Sequence, residues 1–286
     1  MTGDDGSGPR ADADGGGHPA GDDTEDGAGD QQESVTDGPY AAVHTRPEGT
    51  ATVARMALTA AEADYAGIVV RNHGDADAVP ADPSEREHGD PADGAYVPAA
   101  VADAYDVDVV PAVEIRTDDR GQAAELLSRY RDERVVVCVH GGPLNRWAVE
   151  DPRVDVLAHP TRGEGDLNHV LVKAAARNGV RLEFDLSRML RRTGGERVRA
   201  VRGLRKQREI VAHYDAPFVV STDPTSHLQV RSPRALRAVG ETVSFEPDRI
   251  DAGLREWGRL AARNRERLGE DFIAPGVYRG RYEEVD

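Results

Sequence analysis

The chain has 286 residues and a formal net charge of −16, long enough for one α/β barrel or two small domains. A single cysteine excludes an internal disulfide framework, and no apolar run approaches the ~18 residues of a membrane span. With no apolar leader segment near the N-terminus either, the expected location is a reducing cytoplasm, with no membrane partner.

Residues 1–38 hold eleven acids against Arg10 and almost no large apolar side chain. Such a segment cannot bury enough surface to offset its ordering entropy, so it is expected to be disordered. That leaves a folded domain over 39–270, closer to neutral, and an irregular tail over 271–286.

From Tyr40 onward short apolar runs alternate with helical patterns. Tyr40–His44 reads as a strand and Thr50–Asp64 as a helix capped by Thr50. Gly67–Arg71 is a second strand, followed by a polar stretch over 75–95 with Pro80, Pro83 and Pro91. A helix over Val97–Tyr105, a strand over Val107–Ile115 and a helix over Asp118–Arg131 come next. Val135–His140 (VVVCVH) and Val154–His159 (VDVLAH) are Val-rich runs of the kind buried on both faces of a parallel sheet, joined by a short helix at 144–149. Asp166–Asn178 is amphipathic, with Gly179 as its stop. Val180–Leu186 is a sixth strand and Pro217–Ser221 a seventh, separated by a basic helix over Glu196–His213. Gly194-Gly195 before it reads as a flexible loop. Ser232–Thr242 and Pro247–Leu268 are helices, whose Leu236, Val239, Val243 and Leu254, Trp257, Leu260 stripes are expected to pack on the barrel.

Strands alternating with helices imply βαβ units and a parallel sheet. About seven strands in so short a span favour a TIM-like (β/α) barrel over an open sheet. There is no G-x-G-x-x-G after the first strand and no P-loop, which removes the commonest nucleotide-binding sheets. In such a barrel the strand ends collect at one mouth. Here they supply His44, His73, Glu114, His140, His159, Glu183, Asp185 and Asp223, with His227 close behind. Converging imidazoles and carboxylates suit a hydrolytic centre built on zinc, manganese or iron.

Two resemblances refine this reading. The mouth resembles that of the polymerase-and-histidinol-phosphatase (PHP) superfamily of metal-dependent phosphoesterases, which opens with H-x-H and closes with D-x-H. Here the first motif reads Ala42-Val43-His44 and the last Asp223-Pro224-Thr225, so one histidine is missing from each. His44, His73, His140, His159, Asp223 and His227 are therefore expected to be vestiges of a metal site rather than a working one. The order YAAVHTRPEG, VDVLAHPTRG, Asn168-His169-Val170, EFDLS at 183–187 and Asp223 through Arg234 closely resembles the archaeal ribonuclease P protein component 3 family. That resemblance implies a PHP-like barrel without a catalytic residue of its own. It would bind the catalytic RNA beside other protein subunits, especially a small partner protein, while the RNA, with Mg2+, removes the 5′ leader of precursor tRNA. The alternative is a PHP-type metal-dependent phosphoesterase.

The distribution of basic residues points independently to RNA. Between Arg188 and Arg208 lie nine cations, with Glu196 the only acid. Arginine pairs bidentately with phosphate and stacks on unpaired bases. The expected RNA contacts are Arg162, Arg177, Arg188, Arg191, Arg192, Arg202, Arg205, Lys206, Arg231 and Arg234. Arg237 continues the last set at i, i+3, i+6. Only two lysines (Lys173 and Lys206) among 36 basic residues, with abundant aspartate, resembles the compositional bias of salt-loving archaea. In molar salt the Debye length falls to about 3 Å, so overall acidity does not argue against a polyanionic partner.

Overall fold

The computed structural model describes residues 37–74, 98–162, 165–269, 272–274 and 277–278. Most of the acidic leader and the stretch expected as a loop over 75–95 lie outside the described residues. Seven strands pair in sequence order, all parallel, with β1 (Tyr40–Val43) and β7 (Phe218–Ser221) at the two edges. Between them run β2 (Gly67–Val70), β3 (Asp108–Ile115), β4 (Val136–His140), β5 (Val156–Ala158) and β6 (Arg181–Asp185). The helices α1 (Val53–Glu62), α2 (Pro98–Tyr105), α3 (Arg120–Glu133), α4 (Asn145–Glu150) and α5 (His169–Asn178) return the chain from each strand to the next. After β6 come α6 (Ser187–Arg191) and α7 (Gly194–His213), and after β7 come α8 (Pro233–Glu241) and α9 (Pro247–Leu268). This is the nearly closed TIM-like barrel that the alternation implies.

Boundaries differ where a cap, not the apolar pattern, sets the start. Thr52 rather than Thr50 caps α1, accepting a hydrogen bond from Arg55 N, and Asn168 caps α5 through Val170 N and Leu171 N. Gly194-Gly195 is a correction: these residues form the first turn of α7, and a separate short helix, α6, precedes it. Within the tail expected to be irregular, Phe272–Ala274 (β8) and Val277–Tyr278 (β9) pair antiparallel, and its other residues lie outside the described ones.

Two apolar layers hold the barrel. Outward strand residues such as Val43, Ile68, Val113, Val137, Leu157 and Leu182 pack under the helices. The alternate residues, Tyr40, Ala42, Val69, Val110, Ala112, Val136, Cys138, Val156, Ala158 and Val219, face inward and form a second cluster with Trp257, Leu260 and Ala261 of α9. Cys138 is a buried apolar group of this interior. On α8, Leu236 is buried while Val239 packs at its edge, and Val243 is buried just beyond the helix.

Helix α9 deals with the missing eighth strand. Val220 O points away from β6, toward the open edge of β7, and Trp257 Nε1 donates to it at 3.0 Å. Gly253 lets the helix come this close: a Cβ there would lie 2.5 Å from Val220 Cγ2. Farther along, Arg263 binds Asp155 at 2.9 Å, Asn264 Nδ2 donates to Val135 O, and Arg265 forms a two-pronged pair with Asp108. The helix thus follows the open edge and continues across the ends where β3, β4 and β5 begin. Trp257→Ala should destabilise the fold by about 3–5 kcal/mol through the cavity it leaves. Urea unfolding followed by circular dichroism checks this, with Trp257→Phe expected to recover most of the loss.

Candidate functional site

The inward-facing alternation continues past each strand end and delivers polar groups to the mouth. Ala42 leads to His44, Val69 to Arg71 and His73, Ala112 to Glu114, Cys138 to His140, and Val219 to Ser221 and Asp223. Strand β6 ends in Glu183 and Asp185. By the same count β5 would present Pro160. Instead His159 takes a left-handed φ of 49° and its imidazole turns inward, its main-chain N–H held 2.9 Å from Glu183 Oε2. Asp223 is also left-handed, at φ 46°. Non-glycine residues held there cost about 1–3 kcal/mol each and persist only where their surroundings over-determine them.

Arg71 lies at the centre and is fully buried. Its Nη2 is 2.7 Å from Glu183 Oε1 and 3.3 Å from Asp223 Oδ1, and its Nη1 is 3.3 Å from Glu114 Oε2. Its guanidinium carbon stands 5.7 Å from the centroid of the Trp257 ring. Around it the imidazoles of His44, His73, His140 and His159 form a chain with neighbouring centroids 5.0, 5.9 and 5.0 Å apart. Carboxylates bridge them. Glu48 meets His44 Nδ1 at 3.0 Å and His73 Nδ1 at 2.6 Å, Asp223 meets His44 Nε2 at 2.8 Å, and Glu114 takes the close approach of His140 Nδ1. Arg162, on the loop after β5, closes the opposite side, its Nη2 3.1 Å from Asp185 Oδ2 and 3.0 Å from Asp223 Oδ2.

Three donor groups converge closely enough to suggest a metal: His44, Glu48 and His73; His73, Glu114 and His140; and His159, Asp185 and Asp223. His227 joins none of them among the described residues, because it sits in the single turn His227–Gln229 beyond the mouth. The arrangement does not fit a multinuclear centre. Glu114, Glu183 and Asp223 already face the Arg71 guanidinium, and Asp185 and Asp223 share that of Arg162. The imidazoles of His44 and His73 have a carboxylate at both nitrogens, so when protonated they donate on both sides and keep no lone pair for a metal. Ala42 and Thr225, where the PHP motifs have histidines, serve packing and a hydrogen bond to Gln229.

The titration of these groups follows from the same geometry. Burial pulls His73 down, but hydrogen bonds to Glu114 and Glu48 outweigh it and carry it up from 6.5 to about 9. His159 moves the same way, to about 9, with burial opposed by the charges of Glu183 and Glu114. Burial alone would raise Glu114; Arg71 and the imidazolium groups instead hold it well below the carboxylate range.

The basic residues separate by height on the barrel. Arg188 and Arg191 of α6 and Arg192 at its C-cap lie at the mouth end, and Arg231 and Arg234 flank the start of α8. Arg202, Arg205 and Lys206 are exposed along α7. Arg177, in the last turn of α5, is at the opposite end, where β6 begins. Some have structural partners: Arg191 donates to the carbonyls of Thr222 and Asp223, Arg205 to that of Thr242, and Arg231 to those of Leu228 and Val230. Arg237 is paired with Asp251. Beside α7, a groove of about 570 Å³ has Met189, Leu190, Val198, Val201 and Val239 as its apolar lining and Arg197, Arg202 and Arg205 among its polar ones.

Sequence reasoning missed Arg71 and Glu48 as members of the mouth. Arg71 carried a usable signal, since it lies two residues after the inward-facing Val69. Glu48 carried none, because it is placed by the loop after β1. There Gly49 N bonds Thr45 O, and a Cβ on Gly49 would meet His44 O at 2.3 Å.

Residues 40–268 match the model of the RNase P subunit p30 family. The chain belongs to that family. It is 55% identical over 238 residues to the ribonuclease P protein component 3 of Natronomonas pharaonis, covering 83% of this chain and 94% of the relative. Identity to the Haloarcula marismortui protein of the same name is 52%, over 83% and 95% of the two chains. With the Methanosarcina mazei protein, identity is 30%, over 82% and 92%. In three dimensions the p30-family barrel resembles a chain in the cryo-EM structure of archaeal ribonuclease P with mature tRNA. The TM-score is 0.69 at 24% identity, covering 86% of this chain and 100% of the other, a likeness of fold.

The ion cluster governs the stability of this p30-family mouth in two ways. Arg71→Met leaves Glu114 and Glu183 buried without their cation and should cost about 3–5 kcal/mol, read from denaturant unfolding. Adding Glu114→Gln should recover part of that loss, as coupling between neighbouring groups requires. The imidazoles set a pH window. Their folded pKa lies above the unfolded value, so their contribution is complete below pH 6.5 and fades as pH rises through about 9. Unfolding midpoints measured between about pH 6 and pH 10 should fall over the upper part of that range in the native chain, and fall less in His73→Gln.

Proposed function

We propose that this chain is a cytoplasmic protein subunit of the ribonuclease P ribonucleoprotein, where it binds the catalytic RNA and assists removal of the 5′ leader from precursor tRNA. The chemistry belongs to the RNA and its Mg2+, and other protein subunits complete the assembly. Membership of the p30 family, at high identity to ribonuclease P protein component 3 sequences, supports this role. Among the described residues no helix is long and apolar enough to cross a membrane.

The observation that carries the RNA-binding part is the outer face of α6 and α7. Arg188, Arg202, Arg205 and Lys206 are exposed there, and among the described residues none of them has a carboxylate partner; the one ion pair on this face, Arg192–Glu196, is long at 3.6 Å. Cations without a carboxylate in ion-pair distance suit a phosphate backbone, and the apolar groove they border suits the face of an unpaired base. Arg231 and Arg234 are also exposed, at the start of α8. Arg162 contributes to it less directly, since Asp185 and Asp223 hold its guanidinium.

Reconstitution tests the reading. Precursor-tRNA cleavage by the RNA and the remaining protein subunits should slow when this chain is omitted. Arg202→Ala with Lys206→Ala should weaken RNA affinity and reduce the salt slope by about one for each phosphate no longer neutralised. Cleavage that is unchanged without the chain, at limiting Mg2+ as well as at saturation, would count against the role.

A further inference from the structure

The mouth is balanced from within. Five carboxylates, Glu48, Glu114, Glu183, Asp185 and Asp223, face two guanidinium groups, Arg71 and Arg162, and the imidazoles of His44, His73 and His159. The two arginines differ in depth. Arg71 is fully enclosed by the interior and by Trp257, whereas Arg162 comes from a loop and its side chain is 32% exposed. Asp223 divides its oxygens between them: Oδ1 serves Arg71 and His44, and Oδ2 serves Arg162. Asp185 Oδ2 accepts from Ser187 Oγ at 2.8 Å and from His159 Nδ1 at 3.1 Å, and the remaining approach to it is filled by Arg162. One Arg162 nitrogen thus bridges two carboxylate oxygens beside an imidazole nitrogen.

We propose that Arg162 occupies the position of a divalent cation, and that its guanidinium keeps the His159, Asp185 and Asp223 group closed to metal. The three residues have their ligand atoms within 4.8 Å of one another, so the donor set is assembled. Carboxylate and imidazole donors of this kind suit manganese or zinc. Removing Arg162 leaves two carboxylate oxygens facing each other without their shared cation. A divalent ion bridging Asp185 and Asp223 then restores the missing charge, with the His159 imidazole beside it. The barrel has kept the ligands and replaced the ion by a side chain. This inference does not rest on the RNA-binding reading, and its readout is independent of cleavage.

The experiment is titration of the purified chain with Mn2+, following free Mn2+ by electron paramagnetic resonance after exhaustive chelation and dialysis. The native chain should show no saturable binding. Arg162→Ala should take up one Mn2+ per chain and unfold at a higher temperature in its presence. Asp223→Asn added to that variant should abolish the uptake. Circular dichroism establishes that each variant is folded, and Arg162→Met, which keeps the aliphatic stem, replaces the alanine variant if that one is not. Saturable binding by the native chain that Asp223→Asn removes overturns the proposal. So does a folded Arg162 variant that binds no Mn2+.

Discussion

The structure depends on one buried cation. Arg71 enters the barrel from the end of β2 at a depth where a lone guanidinium is not tolerated, and it is held there by Glu114, Glu183 and Asp223 from three other strands and their ends. Paired charges in an interior are weak contributors to net stability but strong specifiers of arrangement, because each partner left alone carries a desolvation penalty of several kcal/mol. That penalty ties β2, β3, β6 and β7 to a common register at the mouth. It also sets the chemistry of the mouth, since carboxylates aimed at a guanidinium are not free to hold an ion.

The same arginine links the mouth to the closure of the barrel. Seven strands leave an open edge on β7, and α9 answers it with Trp257, whose indole N–H satisfies the outward carbonyl of Val220 while its ring lies against the Arg71 guanidinium. A large aromatic with a polar handle suits this place, where one side is apolar interior and the other is an unpaired backbone carbonyl. The network of Arg131, Asp155, Arg263 and Asn264 then fastens the far end of α9 to the starts of β4 and β5. Closure, packing and charge balance are therefore parts of one arrangement.

This separates two electrostatic regions on one small barrel. The mouth is rich in charge but internally neutralised, with each cation facing carboxylates within a few ångströms. The outer face of α6 and α7 is the reverse: among the described residues Arg188, Arg202, Arg205 and Lys206 have no carboxylate within ion-pair distance, and such cations raise the local potential toward a polyanion. A titration-sensitive, histidine-lined cleft in a barrel is ordinarily the first place to seek chemistry.

Much of this architecture can be read from the order of residues. Alternation of Val-rich runs with helical segments specifies a parallel barrel, because strands buried on both faces need continuous apolar sequence. Alternation within each strand places His44, Glu114, His140 and Asp223 at the same mouth. The missing histidines at positions 42 and 225 argue against a full metal set, and the run of arginines from 188 to 208 marks the basic face. What needed the folded chain was every feature set by groups remote in sequence. Arg71 reads as the end of a strand, since nothing nearby announces partners 43, 112 and 152 residues away. His159 turns inward through a left-handed backbone that no local pattern predicts. Arg162 reads as a candidate RNA contact, and only the fold closes two aspartates on it, one from β6 and one from the loop after β7. Local periodicity is written residue by residue and survives in the sequence, whereas the pairing of charges arises only when the strands have been brought together.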